Sequence, residues 1–309
     1  MASNNTHLFD VAALHDGGVR VTTGAALAAT AVLLAAATTG AGCLPPSIGA
    51  NMLLHPPRHP PPEPPTIPYE SIDLPGDGIT LRAWIFRATE RRRGTVIYLH
   101  GLGDNRASGF FYARHYGKLG FDVVAYDSRA HGESGGKDCT YGYYEKRDLA
   151  RVLDKLGPAA APVVVLGNSM GAAIALQAAG DDARIAAVIA VSPISDLRTA
   201  VFERAPFFAS RRNIEDGFAL AESEAHFRVD DVSPVAAAAR IRCPVLLLAG
   251  QADRETPPAH SERVFHALAG PKRLISVPGA GHHDVLNMHT LVDVDAWLDE
   301  ALASRGKNN

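Results

Sequence analysis

The sequence predicts an α/β protein with a mostly parallel central sheet and helices on both of its faces. Beyond Thr66, short apolar runs alternate with amphipathic or Ala-rich stretches. Such alternation of strands and helices is typical of a parallel sheet covered by helices. Several runs, such as VIYL, VVVL and VLLLA, are apolar throughout, which is typical of parallel strands buried on both faces. The run at residues 163–166 leads into a Gly-rich pentapeptide, residues 167–171, and then into alanines.

The apolar runs give the predicted strands, and the helices fall between them. The strand predictions cover residues 79–86, 94–99, 121–126, 163–166, 186–190, 245–249 and 274–277. The better helix predictions cover residues 109–119, 143–156, 170–179, 260–269 and 286–303. Ligands of such sheets bind beyond the carboxyl ends of the strands, so we expect the functional residues in the loops that follow these runs.

The composition indicates an ordinary globular protein with one large domain. Of its 309 residues, 47% are hydrophobic and 20% are charged. The net charge is only −3 and no basic stripe is interleaved with aromatics, which argues against nucleic-acid binding. Cys43, Cys139 and Cys243 lack metal-ligand spacing, so they predict neither a disulfide framework nor a zinc site.

Residues 1–44 are predicted to be a signal peptide or a membrane anchor. Residues 21–57 contain no Asp, Glu, Lys or Arg, and sixteen of the twenty-four residues from 21 to 44 are Ala, Val, Leu or Cys. As a helix, residues 21–44 would be about 36 Å long, against a hydrocarbon core of about 30 Å. We therefore expect a protein of the cell envelope that associates with the membrane through this segment.

Two other interpretations of this segment stay open. In a secretory signal, Arg20 would be the positive flank and residues 25–37 the apolar region. The small residues before Cys43 resemble a bacterial lipoprotein box, although Gly40 stands where such boxes usually have Leu. The last interpretation is an Ala-rich tail without a membrane role.

A proline-rich linker is predicted over residues 45–68, followed by the α/β domain at 69–303 and a tail at 304–309. Residues 56–65 include seven prolines, which lack a backbone donor and favour an extended spacer.

Ser169 lies between Gly167 and Gly171 at a predicted strand-to-helix junction. Such a junction holds the serine in a strained turn that lifts its hydroxyl above the sheet edge. A serine hydroxyl is a weak nucleophile that needs a base, and the base needs a carboxylate to orient it. Asp253 and His282 each follow a later predicted strand, in the chain order of the nucleophile-elbow hydrolases.

Acyl transfer also requires donors for the oxyanion that forms on the substrate. The backbone N–H of Met170, the first residue of the predicted helix, is one expected donor. The other is expected from Leu102, in the loop after the early strand VIYL. Because backbone groups would donate, the side chains at these two positions should matter little.

The chain resembles the α/β-hydrolase superfamily from about residue 69 to residue 302. The motifs that carry the resemblance are HGLG at 100–103, DSRAHGES at 127–134, GNSMG at 167–171, GQAD at 250–253 and GAGH at 279–282. One departure is Ala130, where the superfamily commonly has Gly. The resemblance implies a hydrolase that needs no cofactor, and the N-terminal segments are most similar to those of membrane-tethered bacterial esterases, lipases or thioesterases.

The resemblance also implies a helical cap insertion at about residues 194–232. Five phenylalanines lie there, namely Phe202, Phe207, Phe208, Phe218 and Phe227, and the same segment carries Arg198, Arg204, Arg211 and Arg212. A cap of this composition suits an apolar acyl group near an anionic head. The alternative is that the phenylalanines only pack helices against the sheet.

Other histidine and aspartate residues are weaker candidates for the catalytic roles. His100 and His131 precede the nucleophile, and they are expected to order loops. His283 adjoins His282, which fits the Gly-x-Gly-His spacing better. Asp127 also ends a strand, but its context predicts a buried turn network. A metal site at residues 282–284 is disfavoured because consecutive ligands rarely converge on one ion.

The sequence thus predicts a serine hydrolase of carboxylic esters or thioesters, with a small-molecule or lipid-like substrate and no metal or other cofactor. The alternative within the enzyme class is a serine peptidase or aminopeptidase, because the same triad cleaves amides. The resemblance includes a prolyl-peptidase-like branch with the same fold. An alternative from another class is a catalytically silent, envelope-tethered binding protein.

Overall fold

The computed structural model describes residues 45–305. Its strands are β1 (Glu70–Pro75), β2 (Thr80–Phe86), β3 (Gly94–Leu99), β4 (Phe121–Tyr126), β5 (Val163–Asn168), β6 (Ile185–Val191), β7 (Val245–Gly250) and β8 (Lys272–Val277). Its α-helices are α1 (Pro46–Leu54), α2 (Gly109–Lys118), α3 (Glu145–Leu156), α4 (Met170–Asp181), α5 (Leu197–Arg204), α6 (Arg211–Ala225), α7 (Pro234–Ala238), α8 (Ala259–Ala267) and α9 (Met288–Arg305).

The strands form one sheet in the order β1-β2-β4-β3-β5-β6-β7-β8. β1 and β2 are antiparallel to their neighbours, and the strands from β4 to β8 are parallel. After β3 the chain builds outward to β4 on one side and later to β5 on the other. The loops after β3 and β5 therefore diverge, which creates the crevice where ligands bind in such sheets.

The core lies on both faces of the sheet, as the apolar runs predict. Every residue of β3, β4, β6 and β7 is buried. One face packs against α3, α4 and α8, and the other against α2 and α9. On the second face α2 and α9 are also joined by His115 and Asp295, whose side chains lie 2.8 Å apart.

All the predicted strands and helices are present, and their bounds differ from the predicted ones by no more than two residues. β1 was not predicted. Its sequence, ESIDLP, contains two acidic residues and a terminal proline, and it forms the edge of the sheet, where polar residues and proline are tolerated. The predicted tail begins two residues too early, at residue 304, since α9 continues to Arg305.

The prediction of an extended linker over residues 45–68 is wrong for the first part of this segment. Residues 46–54 form α1, in which Ala50, Leu53 and Leu54 are buried. α1 packs on α6, and the two helices cross where Gly49 meets Gly217. The physical reason is that proline is well suited to the first turn of a helix, whereas the helix-incompatible prolines begin only at Pro56.

The segment predicted to be a cap contains α5 and α6. Its phenylalanines differ in burial: Phe218 and Phe227 are buried in the core, Phe202 and Phe208 are half-buried, and Phe207 is fully exposed. Phe218 and Phe227 thus pack into the core, whereas Phe207 and Phe208 remain accessible, and the contact of the latter two with an acyl group stays a prediction.

The predicted signal or anchor at residues 1–44, including Cys43, lies outside the described residues. Among the helices between residues 45 and 305, none has the length and apolarity that crossing a membrane requires.

Candidate active site

Ser169 occupies a sharp turn between β5 and α4, as the pentapeptide predicts. Its backbone has φ 51° and ψ −111°, a region that residues with a side chain rarely adopt. A Cβ on Gly171 would lie 2.1 Å from the carbonyl oxygen of Leu99, and one on Gly167 would lie 2.3 Å from the backbone of Gly171. Only glycine fits at both positions, so the turn depends on the motif.

The loop after β3 lies beside Ser169. A Cβ on Gly101 would be 3.7 Å from the Cβ of Ser169. Leu102 is the next residue of this loop, and Met170 begins α4 on the other side of the serine. The first N–H groups of a helix have no partner within it. Both predicted oxyanion donors therefore belong to backbone segments that adjoin the serine.

Asp253 and His282 are paired at the carboxyl ends of β7 and β8. The Asp253 Oδ2 atom lies 2.7 Å from His282 Nδ1, and the exposed fractions of the two side chains are 0% and 7%. The loops meet closely, because the N–H of Ala252 donates to the carbonyl of Ala280 at 2.9 Å. Since a carboxylate only accepts, Nδ1 carries the proton and Nε2 is left as the basic nitrogen of the ring.

Several donors hold the Asp253 carboxylate. Its Oδ1 atom accepts the backbone N–H groups of Glu255 and Thr256 at 2.9 and 2.8 Å. Burial disfavours the charge, but the hydrogen bonds from His282 and Thr256 outweigh that effect and lower the pKa of Asp253. The residue is thus an anion at neutral pH that can orient and stabilise an imidazolium.

The parallel sheet brings Ser169, Asp253 and His282 to the same edge. Their loops follow β5, β7 and β8, which lie in this order with β6 between the first two. Within residues 45–305, the Ser169 hydroxyl forms no hydrogen bond with the His282 ring. The structure therefore contains a formed His282–Asp253 pair and a separate serine elbow on one edge of the sheet.

The other candidate histidines have structural contacts. His100 is buried, donates from Nδ1 to the carbonyl of Gly101 at 2.7 Å and accepts the N–H of Ser128 at Nε2. His131 donates from Nδ1 to the carbonyl of Arg129 at 2.9 Å. Burial and the neighbouring His100 lower the pKa of His131 to about 3.

The alternatives for the carboxylate and for the second histidine also have other partners. Asp127 accepts from the backbone N–H and guanidinium of Arg106 and from the N–H of Glu133. The His283 side chain is 77% exposed and lies 3.3 Å from Glu255. In the part of the chain that the structure describes, no three His, Cys, Asp or Glu side chains are grouped to hold a metal ion.

Sequence reasoning missed the contribution of the N-terminal segment. The carbonyl of Leu54 accepts the N–H of Cys139 at 2.8 Å, and the Cys139 Sγ atom lies 3.5 Å from the Met170 Sδ atom. A Cβ on Gly103 would lie 3.9 Å from Pro57. Pro57 thus lies beside the loop that contains Leu102, and α1 binds the backbone of Cys139, whose side chain lies against Met170. The signal was available as proline at the first helical position and apolar residues at 50, 53 and 54.

A cavity of about 460 Å³ lies elsewhere, at the opposite edge of the sheet. It is lined by Thr95 and Asp122, near the starts of β3 and β4, and by Arg87 and Arg92. Both arginines bind Asp122. The cavity is therefore separate from the edge of the sheet where Ser169, Asp253 and His282 lie.

The sequence model of the Alpha/beta hydrolase family matches residues 96–294, which include Ser169, Asp253 and His282. The chain belongs to this family. Its eight-stranded, mostly parallel sheet has the α/β-hydrolase fold.

Among known proteins, the chain is 31% identical over 201 residues to the uncharacterized protein YqkD of Bacillus subtilis. This match covers 61% of this chain and 64% of YqkD. It is 29% identical over 223 residues to an uncharacterized protein of Mycobacterium tuberculosis, covering 71% of this chain and 74% of the relative. A shorter match, 35% over 91 residues, is to a monoacylglycerol lipase of Mycolicibacterium smegmatis, and covers 26% of this chain and 31% of the lipase.

Among solved structures, an esterase of Pyrococcus furiosus superposes with a TM-score of 0.64 at 22% identity. The superposition covers 82% of this chain and 98% of the esterase. A likeness at this identity supports the fold alone.

Proposed function

We propose that the protein is a serine hydrolase that cleaves carboxylic esters or thioesters. The observation that carries the proposal is the buried His282–Asp253 pair, whose free Nε2 belongs to the same sheet edge as the strained turn of Ser169. A strained serine elbow and an imidazole oriented by a carboxylate are the two parts that acyl transfer to a serine requires.

In the proposed reaction, Ser169 Oγ attacks the carbonyl carbon of the ester while His282 Nε2 takes its proton. Asp253 stabilises the imidazolium without becoming protonated. The backbone N–H groups of Leu102 and Met170 would bind the oxyanion of the tetrahedral intermediate. His282 then protonates the departing alcohol or thiol. In the second half, His282 Nε2 takes a proton from a water molecule whose oxygen attacks the acyl carbon, and it returns that proton to Ser169 Oγ as the bond between Ser169 and the acyl group breaks.

The substrate class is supported by the name of one relative and by the predicted cap. That relative is called a monoacylglycerol lipase. The half-buried Phe208 and the exposed Phe207 offer apolar surface on the cap. We propose a small or lipid-like ester as the substrate, with no cofactor taking part.

The experiment uses a fluorophosphonate probe and p-nitrophenyl esters from acetate to palmitate. Ser169→Ala should abolish labelling and ester turnover while the fold persists, and exposed Ser71→Ala should change neither. Labelling of Ser169→Ala would point to another nucleophile. Labelling of the wild-type protein also separates an enzyme from a silent binding protein, which the probe would not label.

A parallel panel of aminoacyl amides tests the peptidase alternative. A structural neighbour with a TM-score of 0.53 and 21% identity is a puromycin-hydrolyzing peptidase of Mycobacterium tuberculosis, a likeness in fold. Faster turnover of the amides than of the esters would replace the esterase proposal with the peptidase one.

We further propose that residues 21–44 attach the protein to the membrane of the cell envelope, because they are apolar and free of charged side chains. The intact mass of the membrane-extracted protein tests this. A mature chain beginning at Cys43 with added acyl mass would indicate a lipoprotein, an unprocessed chain would indicate a retained anchor, and recovery only in the soluble fraction would contradict the proposal.

A further inference from the structure

The last turn of α5 contacts the segment that follows Asp253. Arg204 donates from Nε to the carbonyl of Glu255 and from a terminal nitrogen to the hydroxyl of Thr256, both at 2.5 Å. Glu255 and Thr256 are the residues whose N–H groups bind the Asp253 carboxylate. One guanidinium therefore holds the peptide unit between Glu255 and Thr256, whose N–H binds the carboxylate, and also the Thr256 side chain.

Arg204 differs in this respect from the other arginines of the cap. Arg198, on the same helix, binds the carboxylates of Asp230 and Glu215. Arg212 lies 3.8 Å from Asp216, and Arg211 lies over the ring of Phe202. The acceptors of Arg204 are a carbonyl and a hydroxyl, so its contacts fix the geometry of a loop rather than neutralise a neighbouring carboxylate.

Glu203, which precedes Arg204 on α5, contacts a residue that follows Thr256 in the chain. Glu203 Oε2 lies 2.9 Å from Nε2 of His260, which is buried on α8. His260 accepts the N–H of Ser195 at Nδ1, just before α5 begins. The stretch from Glu255 to His260 is thus fastened to α5 at both of its ends.

We propose that Arg204 is a positioning residue for the Asp253 carboxylate, and that α5 is a fixed support of the catalytic residues rather than a lid that opens. This inference rests on the proposed function, in which Asp253 orients His282. Arg204 acts through Glu255 and Thr256 and has no role of its own in bond making.

The consequence of losing Arg204 follows from this geometry. Without it, the loop gains freedom and the carboxylate no longer fixes the His282 ring against Ser169. Small displacements of reacting groups are costly, up to about 100-fold in rate for a 1 Å shift. The loss should appear in kcat and in the reactivity of Ser169, with the KM for a small ester unchanged.

The test measures the second-order rate of fluorophosphonate labelling of the full-length protein, which depends on an activated serine and not on a particular substrate. Arg204→Met should label on the order of tenfold more slowly. Arg204→Lys, which keeps one donor, should recover part of the rate. Thr256→Val removes one acceptor and keeps the N–H to Asp253, so it should slow labelling less. Arg198→Met is the matched control on α5 and should label at the wild-type rate.

A double-mutant cycle separates positioning from general damage. With Asp253→Asn in place, Arg204→Met should have little further effect, because the carboxylate it positions is already gone. A wild-type labelling rate in Arg204→Met, or the same fold-loss in both backgrounds, would overturn the inference. If Arg204→Met does not fold, Arg204→Lys and Thr256→Val are taken through the same cycle.

The outcome is distinguishable from a failure of the proposed function. Labelling of the wild type without turnover of any ester would remove the ester assignment and leave the Arg204 comparison intact. Absence of labelling in the wild type would overturn both.

Discussion

The carbonyl oxygen of Gly101 accepts the backbone N–H of Asp104 at 3.3 Å, which closes a four-residue turn beside Ser169. Leu102 and Gly103 are its central residues. Gly103 has φ +73°, and Leu102 is not among the residues with positive φ, so the turn is of type II. Proline is common at the position of Leu102 in such turns.

This turn allows a predicted oxyanion donor to be deleted without disturbing the fold. Leu102→Pro suits the turn and removes the N–H of residue 102. Losing one oxyanion donor typically costs about 10²- to 10³-fold in kcat. We therefore expect Leu102→Pro to lose activity on p-nitrophenyl acetate by that factor with its thermal midpoint preserved.

Leu102→Ala is the matched control, because it keeps the N–H and changes only a side chain that is 40% exposed. It should retain nearly the wild-type kcat. Equal losses in the two variants would show that the side chain, and not the backbone donor, is what the reaction uses at this position.

The sheet, the helices between its strands and the loops that hold the candidate side chains could be predicted from the sequence, because buried parallel strands are continuous apolar runs whose carboxyl ends share one edge. The His282–Asp253 contact follows from the same rule, since the two loops end neighbouring strands. By contrast, the contacts of α1 and of Arg204 join residues far apart in the chain through side chains that no periodicity marks. These contacts depend on tertiary packing, so only the structure reveals them.

The packing of α1 predicts that alanine substitutions at two of its residues differ in their effect on the free energy of unfolding. Leu54 is fully buried, whereas Met52 is 66% exposed on the same helix. Leu54→Ala should lower the free energy of unfolding by about 2–5 kcal/mol, the range for buried leucines. Met52→Ala should stay within about 0.5 kcal/mol of the wild type. Urea unfolding checks this, and similar small effects of both substitutions would mean that α1 is not an integral part of the domain.

His131 predicts a pH dependence of stability. Its Nε2 atom is buried and has no hydrogen-bond partner in the described part of the chain, and its pKa is lowered from 6.5 to about 3 by burial, by His100 and by Arg58. The unfolded chain binds a proton below pH 6.5 that the folded protein does not bind until about pH 3. Stability is therefore lost as the pH falls through this interval.

At pH 5 the contribution of this one group should be about 2 kcal/mol, since each pH unit is about 1.4 kcal/mol. His131→Asn keeps an N–H for the Arg129 carbonyl but does not titrate. Urea unfolding at pH 7.5 and pH 5 should show a smaller loss of stability in His131→Asn than in the wild type. The exposed His266→Asn serves as control and should keep the wild-type loss. An equal loss in His131→Asn would contradict the assignment.

The cap predicts a chain-length preference that depends on two adjacent aromatic side chains. The Phe207 and Phe208 rings lie 5.5 Å apart between α5 and α6, and the first is fully exposed. Each buried methylene contributes about 0.8 kcal/mol, so an acyl chain that leaves about two methylenes unburied when one ring is lost should lose on the order of tenfold in kcat/KM. Phe208→Ala and Phe207→Ala should therefore reduce turnover of p-nitrophenyl palmitate and leave the acetate unaffected.

Phe111→Ala is the control for this prediction, because Phe111 is also an exposed phenylalanine, 43% accessible, but lies on α2 outside the cap. It should leave the profile from acetate to palmitate unchanged. If neither Phe207→Ala nor Phe208→Ala alters the preference, these rings do not contact the acyl group. The fixed attachment of α5 to the Asp253 loop and the burial of Phe218 would then assign the whole insertion to support of the catalytic residues rather than to substrate selection.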